Sequence, residues 1–338
     1  MKRILIIGPS WVGDMVMSQA LFKALKQNNP DCVIDVLAPA WSLPILARMP
    51  EVRKGIVLPF GHGELKLRQR YQQGKHLRGL YDQAIVLPNS LKSALVPFFA
   101  GIKQRTGWRG EMRYGLLNDL RLLDENLYPL MVERFVALAY TEESTASKTF
   151  PKPQLLTTPD SLQNVQKKYG LNKKRKSLVL CPGAEFGIAK QWPEEHYAAV
   201  ANQKINDGWQ VWMLGSRNDI HTAEKIFSLI DKANQQFCIN LASRTDLVET
   251  IDVIALADAV ITNDSGLMHI AAAVNTPLVV VYGSTSPDFT PPLSDKVKIL
   301  TSNIACAPCF KRTCRFGHRK CLTEQKPQSV LGGLDSLC

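Results

Sequence analysis

The stretch Ile7-Gly8-Pro9-Ser10-Trp11-Val12-Gly13-Asp14 decides the fold of this chain. It follows the apolar run from Arg3 to Ile7, which is typical of a buried strand, and it leads into a helix that opens near Val12. A strand, a glycine-containing turn and a helix form the first crossover of a doubly wound α/β sheet. The G-x-G-x-x-G spacing of dinucleotide-binding turns is missing, which argues against a nicotinamide-dependent dehydrogenase.

Asp14 stands in the first turn of that helix. The simplest interpretation is that its carboxylate complements the positive end of the helix dipole, which contributes about 0.3–1 kcal/mol. The alternative is a catalytic role, because a carboxylate at a strand-to-helix turn is also placed to act as a general base. The rest of the chain has to decide between them.

The length of 338 residues exceeds the size at which one core usually stops growing, about 250–300 residues, so two domains are expected. Short apolar runs alternate with helix-length stretches, including predicted helices at 91–100 and 129–140, and the alternation restarts after a polar, proline-bearing segment. We predict an α/β protein with two tandem Rossmann-like doubly wound domains that face a central cleft. The domains are expected at 1–150 and 160–338, with a linker at 151–159. The last helix of the second domain is expected to pack on the first domain.

Ligands in open α/β sheets bind outside the carboxyl ends of the strands. The loops expected to line the cleft are therefore those after Ile7, Cys181, Leu214, Leu241 and Thr262.

The net charge of +11 is concentrated in one segment. Residues 60–113 hold 10 Lys and Arg against 3 Asp and Glu, a surplus of 7, which predicts an acidic partner there. No apolar run approaches the roughly 20 residues of a membrane span, and Met1-Lys2-Arg3 leads directly into a strand instead of a signal peptide. We therefore predict a cytoplasmic protein.

Four cysteines lie close together near the end of the sequence, as Cys306-x2-Cys309-x4-Cys314-x6-Cys321, with His318 among them. The first pair has the spacing of zinc ligands, but the second pair does not repeat it. A structural metal site and a reduced, cysteine-rich loop both fit this pattern. Of the other four cysteines, Cys32, Cys181 and Cys238 lie in apolar segments and are expected to be core residues.

Two loops in the second half predict a site for a nucleotide diphosphate. In Thr262-Asn263-Asp264-Ser265-Gly266-Leu267-Met268-His269 a strand gives way to a helix, whose first N–H groups at Ser265, Gly266 and Leu267 are placed to face a phosphate. His269 lies one turn further along on the same side. The second loop runs from Pro182 to Pro193 and ends with Lys190, which could reach the diphosphate as a point charge. The simpler alternatives are a helix cap with a core histidine and a surface lysine.

The basic segment ends in Arg105-Thr106-Gly107-Trp108-Arg109-Gly110-Glu111-Met112-Arg113-Tyr114, which interleaves arginines with aromatic residues and glycines. Arginine suits phosphates and carboxylates, and aromatic faces suit sugars. The alternative for any one of these arginines is an ordinary solvated surface residue.

Taken together, these motifs resemble the ADP-heptose:lipopolysaccharide heptosyltransferases of the inner core, and the Arg-Thr-Gly-Trp-Arg-Gly run resembles their type II enzymes. The resemblance extends in family order from residue 3 to about residue 292. The motifs that carry it are Gly8 to Met15, Leu87-Pro88-Asn89-Ser90 with Lys92-Ser93-Ala94, Arg105 to Tyr114, Lys190-Gln191-Trp192-Pro193 and Asn263 to His269.

The resemblance implies a GT-B fold and metal-independent, inverting transfer of heptose from ADP-heptose to the first heptose of heptosyl-Kdo-lipid A. It implies a general base at Asp14, a diphosphate-binding lysine at Lys190, and no cofactor besides the donor substrate. The implied location is the inner face of the inner membrane, as a peripheral protein. The implied donor-binding residues are Gly183, Glu185, Asp219, Thr245, Leu247, Asp264, Ser265, Gly266, Leu267 and His269. The expected acceptor-binding residues are Ser10, Trp11, Gly13, His62, Lys66, Arg68, Asn89, Lys92, Arg105, Arg109 and Arg113.

Two alternatives stay open. A heptosyltransferase of type I or III would keep the fold and the donor but use a different acceptor. A non-catalytic binder of anionic glycolipid or nucleic acid would explain the charge, although the sequence has no recognisable nucleic-acid motif, so we expect no nucleic-acid partner.

Overall fold

The computed structural model describes residues 1–61, 63–141 and 149–337. The chain divides into two compact units, Met1–Pro153 and Gln154–Cys338. No helix in the described ranges is both long enough and apolar enough to cross a lipid bilayer.

The first unit is built on a six-stranded parallel sheet in the order β3-β2-β1-β4-β5-β6. Its strands are β1 (Arg3–Ile7), β2 (Val33–Ala38), β3 (Val52–Val57), β4 (Gln83–Val86), β5 (Gln104–Trp108) and β6 (Asp119–Arg121). Its helices are α1 (Val12–Asn28), α2 (Leu43–Leu46), α3 (Leu67–His76), α4 (Leu95–Phe99) and α5 (Met131–Val136). The central strands β1 and β4 are almost wholly buried, as expected of parallel strands covered on both faces.

The second unit repeats this arrangement with a second six-stranded parallel sheet, in the order β12-β11-β10-β7-β8-β9. Its strands are β7 (Ser177–Cys181), β8 (Gln210–Met213), β9 (Cys238–Asn240), β10 (Ala259–Asn263), β11 (Leu278–Val281) and β12 (Val297–Leu300). Its helices are α6 (Pro159–Tyr169), α7 (Glu194–Asn206), α8 (Ile220–Leu229), α9 (Leu247–Leu256), α10 (Gly266–Ala273), α11 (Lys320–Thr323) and α12 (Pro327–Asp335).

The last helix belongs to the second unit. Its side chains Val330 and Leu334 are fully buried in that unit's core, which is formed chiefly by β7, β10, β11 and α7. The helix packs on α7, β11 and β12. The expected packing of the last helix on the first domain stays a prediction.

Two predicted helices are shorter in the structure, and both changes have local causes. The segment predicted at 91–100 divides into a 3₁₀ turn, Leu91–Ala94, and the short helix α4, because Pro97 lacks the N–H that a continuous helix needs. The segment predicted at 129–140 begins at Met131, because the Glu133 carboxylate accepts the Leu130 N–H at 2.9 Å and fixes the helix start.

In each sheet the strand order reverses at the centre. The reversal lies between β1 and β4 in the first unit and between β7 and β10 in the second. Open α/β sheets bind ligands at the carboxyl ends of the strands beside such a reversal. The fold therefore predicts that the functional site lies in the loops that follow these four strands.

Candidate functional site

Lys190 and Asp264 meet at the reversal point of the second sheet. Lys190 ends the loop that follows β7, and Asp264 immediately follows β10, which is the neighbour of β7. Lys190 Nζ lies 2.6 Å from Asp264 Oδ2, and the two side chains are only 14% and 5% exposed. The structure thus brings together two residues that sequence reasoning had placed in separate motifs.

Two further residues hold this pair, and sequence reasoning missed both. Thr285 Oγ1 donates to Asp264 Oδ2 at 2.6 Å, so the same carboxylate oxygen is shared by a lysine and a hydroxyl. Lys190 Nζ also lies 4.8 Å from the centre of the Phe186 ring. Thr285 comes after β11, and the rule that ligands bind at strand ends would have pointed to that loop.

His269 is buried near the Lys190–Asp264 pair, on the first helix after β10, with 5% of its surface exposed. Burial lowers the pKa of His269 to about 4; the charge of Asp264 acts in the opposite direction, and the charge of Lys190 lowers the pKa further. At neutral pH the ring is therefore uncharged and can take part in hydrogen bonding without adding charge to the site.

The low pKa of His269 predicts a pH-dependent loss of stability. The group is easier to protonate in the unfolded chain, near pH 6.5, than in the folded chain, near pH 4, so stability is full above pH 6.5 and falls as the pH drops toward 4. From pH 7 to pH 5 this residue should remove about 2 kcal/mol from the free energy of unfolding. Urea unfolding at both pH values measures the loss, and His269→Gln should abolish that share of it. The matched control is His221→Gln, because the His221 side chain is 99% exposed. An equal pH dependence in wild type and His269→Gln would contradict the assignment.

The helix that carries His269 begins with backbone N–H groups that its own cap residue does not cover. Ser265 is the N-cap, but its side chain makes no capping hydrogen bond to the helix. Its Oγ instead lies 3.2 Å from Thr262 Oγ1. The first-turn N–H groups of Gly266 and Leu267 thus keep the geometry that binds anions at a helix N-terminus.

Three residues expected to bind the donor lie in the loops after β7 and β8 and make local contacts there. The Asp219 carboxylate is 9% exposed and accepts from the Ser216 N–H at 2.7 Å and the Ser216 hydroxyl at 2.8 Å. A Cβ on Gly183 would lie 2.4 Å from the Asp219 carboxyl, so glycine is needed there to admit Asp219. Glu185 accepts from the Asn218 amide at 3.1 Å. Asp219 therefore caps its own turn through Oδ2, and its contact with the ribose stays a prediction.

Thr245 and Leu247 lie further from the reversal point. They precede and begin α9, which follows the edge strand β9, two strands away from β7. Both are half-buried, and Thr245 Oγ1 pairs with Thr250 Oγ1 at 2.9 Å. Their contact with an adenine stays a prediction.

Asp14 lies at the reversal point of the first sheet, as the third residue of α1 after the cap residue Trp11. The carboxylate is half-buried, and Trp11 is 44% exposed. Ser10 and Gly13, which flank this turn, are also only partly covered. Gly8 has a packing role, because a Cβ there would lie 3.1 Å from Ala38 Cβ. The turn therefore presents a carboxylate and an indole at the carboxyl end of β1.

Arg113 does not face solvent, contrary to its expected role in acceptor binding. It is 1% exposed, and burial lowers the pKa of its guanidinium to about 10. The guanidinium donates to the Pro88 carbonyl at 2.6 Å, to the Trp108 carbonyl and to Asn89 Oδ1 at 3.2 Å. These bonds join the loop after β5 to the loop after β4. Arg113 therefore has a structural role, because it connects these two loops.

The Arg105 side chain also donates to backbone carbonyls. Its guanidinium donates to the carbonyls of Leu116, Ile102 and Gly115 at 2.6, 2.5 and 3.4 Å. The side chain is half-buried, and burial lowers its pKa. Its donors stabilise the loop after β5, and its contact with the acceptor stays a prediction.

The remaining acceptor candidates divide by exposure. Asn89, Lys66, Arg68 and Arg109 are exposed, and Lys92 is half-buried. Lys66 lies 3.7 Å from Glu64 in a surface ion pair. Met112 and Tyr114, in the same loop as Arg109, are 78% and 67% exposed. His62 lies outside the described residues.

The difference between Arg113 and Arg109 can be tested directly. Arg113→Ala should lower the free energy of unfolding by about 3 kcal/mol, because it leaves buried carbonyl oxygens without donors. Arg109→Ala should change it by less than about 0.5 kcal/mol, because the side chain is exposed. Urea unfolding of both variants measures these values. Equal effects of the two substitutions would show that the loop does not depend on Arg113.

Two tandem Rossmann-like units form the fold of the GT-B glycosyltransferases, a class that uses nucleotide-activated sugars. Within that class, the model of glycosyltransferase family 9 (heptosyltransferase) matches residues 70–320, and the chain belongs to this family. The predicted fold class and the predicted class of enzyme are confirmed.

Proteins similar to this chain are named heptosyltransferases of type 2. It is 49% identical to lipopolysaccharide heptosyltransferase 2 of Salmonella typhimurium, over 99% of this chain and 98% of that protein. It is 53% identical to lipooligosaccharide heptosyltransferase 2 of Haemophilus influenzae, over 88% of each chain. The solved structure of E. coli ADP-heptose lps heptosyltransferase II matches with a TM-score of 0.91 and 46% identity, over 100% of this chain and 98% of that one.

Proposed function

We propose that this enzyme transfers L-glycero-D-manno-heptose from ADP-heptose to the first heptose of heptosyl-Kdo-lipid A, in the biosynthesis of the lipopolysaccharide inner core. The observation that carries the proposal is the 49% identity to a heptosyltransferase 2 over 99% of the chain. The paired Lys190 and Asp264, beside the N-terminus of α10, supply a chemical rationale for a donor with a diphosphate.

The diphosphate of the donor would bind at the carboxyl ends of β7 and β10. ADP gains negative charge as the bond from its β-phosphate oxygen to the anomeric carbon breaks. Lys190 and the N–H groups of Gly266 and Leu267 are preorganised to stabilise that charge. The proposal therefore assigns no role to a cofactor or to a catalytic metal ion.

In the proposed reaction Asp14 takes the proton from the acceptor hydroxyl. A carboxylate with an ordinary pKa of about 3.9 is a weak base toward an alcohol. The hydroxyl becomes much more acidic as its oxygen bonds to the anomeric carbon, so proton transfer late in the step is feasible. Attack from the face opposite the leaving ADP would invert the anomeric centre.

The acceptor would be recognised by the exposed part of the basic segment in the first unit. Arg68 and Arg109 are exposed cations, and Met112 and Tyr114 are exposed apolar residues in the same loop as Arg109. Such a surface suits an anionic saccharide on a lipid and suits peripheral binding at the inner face of the inner membrane. Asn89, Lys92 and Lys66 are further candidates on the same basis.

An acceptor series tests the proposal and separates it from its alternatives. The enzyme is incubated with ADP-heptose and with Kdo-lipid A, mono-heptosylated or di-heptosylated acceptor, and products are followed by mass spectrometry. We expect ADP and a di-heptosylated product from the mono-heptosylated acceptor. Turnover only with Kdo-lipid A would indicate type I activity, and turnover only with the di-heptosylated acceptor would indicate type III. No turnover, with salt-dependent binding to nucleic acid, would favour a non-catalytic binder.

A further inference from the structure

Four cysteines of the second unit line one pocket. Cys306, Cys309, Cys314 and Cys321 come from the segment between β12 and α11, and they share the pocket with residues of two other loops. All four are half-buried, unbonded thiols. In the described ranges no three His, Cys, Asp or Glu side chains are already close enough together to hold a metal ion. Any ion would therefore draw the sulfurs inward as it binds.

We propose that Cys306, Cys309, Cys314 and Cys321 bind one structural metal ion, zinc or iron, in a tetrahedral set of four thiolates. Four sulfur ligands are the donor set that favours these two metals. Each thiol gives up its proton to solvent on binding, so the ion replaces four protons.

The surroundings of Cys314 are those of a metal-bound thiolate. The backbone N–H groups of Arg319, Phe316, Gly317 and His318 are placed to donate hydrogen bonds to its sulfur. The turn that orients these N–H groups has two residues in the left-handed region, Gly317 with φ of +73° and Arg319 with φ of +45°. Hydrogen bonds to the ligand sulfur are a usual feature of the outer shell of thiolate metal sites.

The charge of the segment complements the proposed site. Four thiolates around a divalent ion carry a net charge of −2. From Cys306 to Cys321 the chain has five Lys and Arg residues and no Asp or Glu. A basic segment lowers the electrostatic cost of holding such an anionic centre near the surface.

His318 is not the fourth ligand, although it lies within the motif. Its Nδ1 accepts the Lys320 N–H at 3.0 Å, so the proton of the neutral ring is on Nε2. Neither nitrogen then has a lone pair to give to a metal. The ring is also stacked on Phe316, with centroids 5.5 Å apart. The assignment therefore uses the four cysteines and leaves His318 as an outer residue.

One buried hydroxyl supports a ligand in the pocket. Ser284 lines the pocket and is 1% exposed, and its Oγ has no hydrogen-bond partner in the structure. A buried hydroxyl without a partner is uncommon and costs stability. A metal-bound thiolate in the pocket would be an acceptor for this hydroxyl.

The metal site would fasten the loop that carries Lys190 and the loop that carries Thr285, the two partners of Asp264, a step that rests on the proposed function. The Ala189 N–H donates to the Arg312 carbonyl at 3.1 Å, next to Lys190. The Cys309 N–H donates to the Ser284 carbonyl at 3.0 Å, next to Thr285. Glycine is needed at position 187 for the contact between Ala189 and Arg312, because a Cβ on Gly187 would lie 2.5 Å from the Arg312 carbonyl oxygen.

Metal analysis of the intact enzyme tests the inference. The full chain is purified without a metal-affinity tag or chelator, and zinc and iron are measured by mass spectrometry alongside thiol titration of the denatured protein. We expect about one ion of zinc or iron per chain in wild type, and about tenfold less in Cys314→Ser and Cys306→Ser. His318→Asn and Cys238→Ala should keep the metal, because the first is an outer residue and the second is a thiol buried on β9.

A second measurement covers variants that fold poorly. Wild type stripped of metal under reducing conditions should bind one Co²⁺ and show the absorption of tetrahedral cobalt thiolate, and its KM for ADP-heptose should rise about tenfold while metal is absent. Less than about a tenth of an ion per chain after reconstitution with Zn²⁺ or Fe²⁺ would overturn the inference, as would disulfides among the four cysteines. Metal binding is measured without any enzymatic reaction, so the result can be interpreted even if the proposed function is wrong.

Discussion

Replacement of Asp14 by asparagine is expected to lower kcat by about 10²–10⁴-fold, which is the usual loss when a general base is removed. In free energy this is about 3–5 kcal/mol of transition-state stabilisation. Asparagine keeps the size of the side chain, and KM for ADP-heptose should stay within about threefold of wild type because the donor is assigned to the other unit. Initial rates at saturating mono-heptosylated acceptor, with ADP release as the readout, measure both constants.

The control separates catalysis from helix stabilisation. Asp160 is an exposed first-turn carboxylate of α6, as Asp14 is a first-turn carboxylate of α1. Either substitution should change the free energy of unfolding by about 0.3–1 kcal/mol through the helix dipole. Asp160→Asn should leave kcat unchanged. If Asp14→Asn also kept kcat within about threefold, the base assignment would be wrong and the carboxylate would be a helix-start residue only.

The alternation of strands and helices could be predicted from the sequence because parallel strands are buried on both faces and read as continuous apolar runs. Strands β1 and β7 were therefore visible in both halves. The strand β6 and the helix α2 were missed, because three- and four-residue elements carry too little pattern. The helix at 91–100 was predicted too long, because Pro97 divides it.

The candidate site shows a different limit of sequence reasoning. Lys190 and Asp264 could be found because each follows a strand at the carboxyl end. Arg113 could not be assigned correctly, because an arginine that donates to buried carbonyls looks in sequence like one that faces a phosphate. Burial decides between such roles, and burial depends on tertiary contacts.

Replacement of Lys190 by alanine is expected to have two separate effects. It should lower kcat/KM by about 10²–10³-fold, the usual result of removing one preorganised donor from a developing negative charge. It should also lower the free energy of unfolding by about 3–5 kcal/mol, because Asp264 would remain as a buried carboxylate without its cation. Activity assays with varied ADP-heptose measure the first effect, and urea unfolding measures the second.

A double variant distinguishes the catalytic part from the structural part. In Lys190→Ala/Asp264→Asn no buried charge is left unpaired, and the Thr285 hydroxyl can still donate to the amide oxygen at position 264. Removing both members of a buried ion pair often costs little, so most of the lost stability should return. The activity should not return, because the cation for the diphosphate is still absent.

Lys204 supplies the matched control for a buried lysine in the same unit. Its Nζ pairs with Asp335 Oδ1 at 2.7 Å, and its side chain is 7% exposed. Lys204→Ala should lower stability and leave kcat/KM unchanged per folded molecule, since α7 and α12 carry no proposed donor contact. If the Lys190→Ala/Asp264→Asn double variant recovered activity together with stability, Lys190 would serve only as the partner of Asp264. The diphosphate charge would then have to be stabilised by the N-terminus of α10 alone.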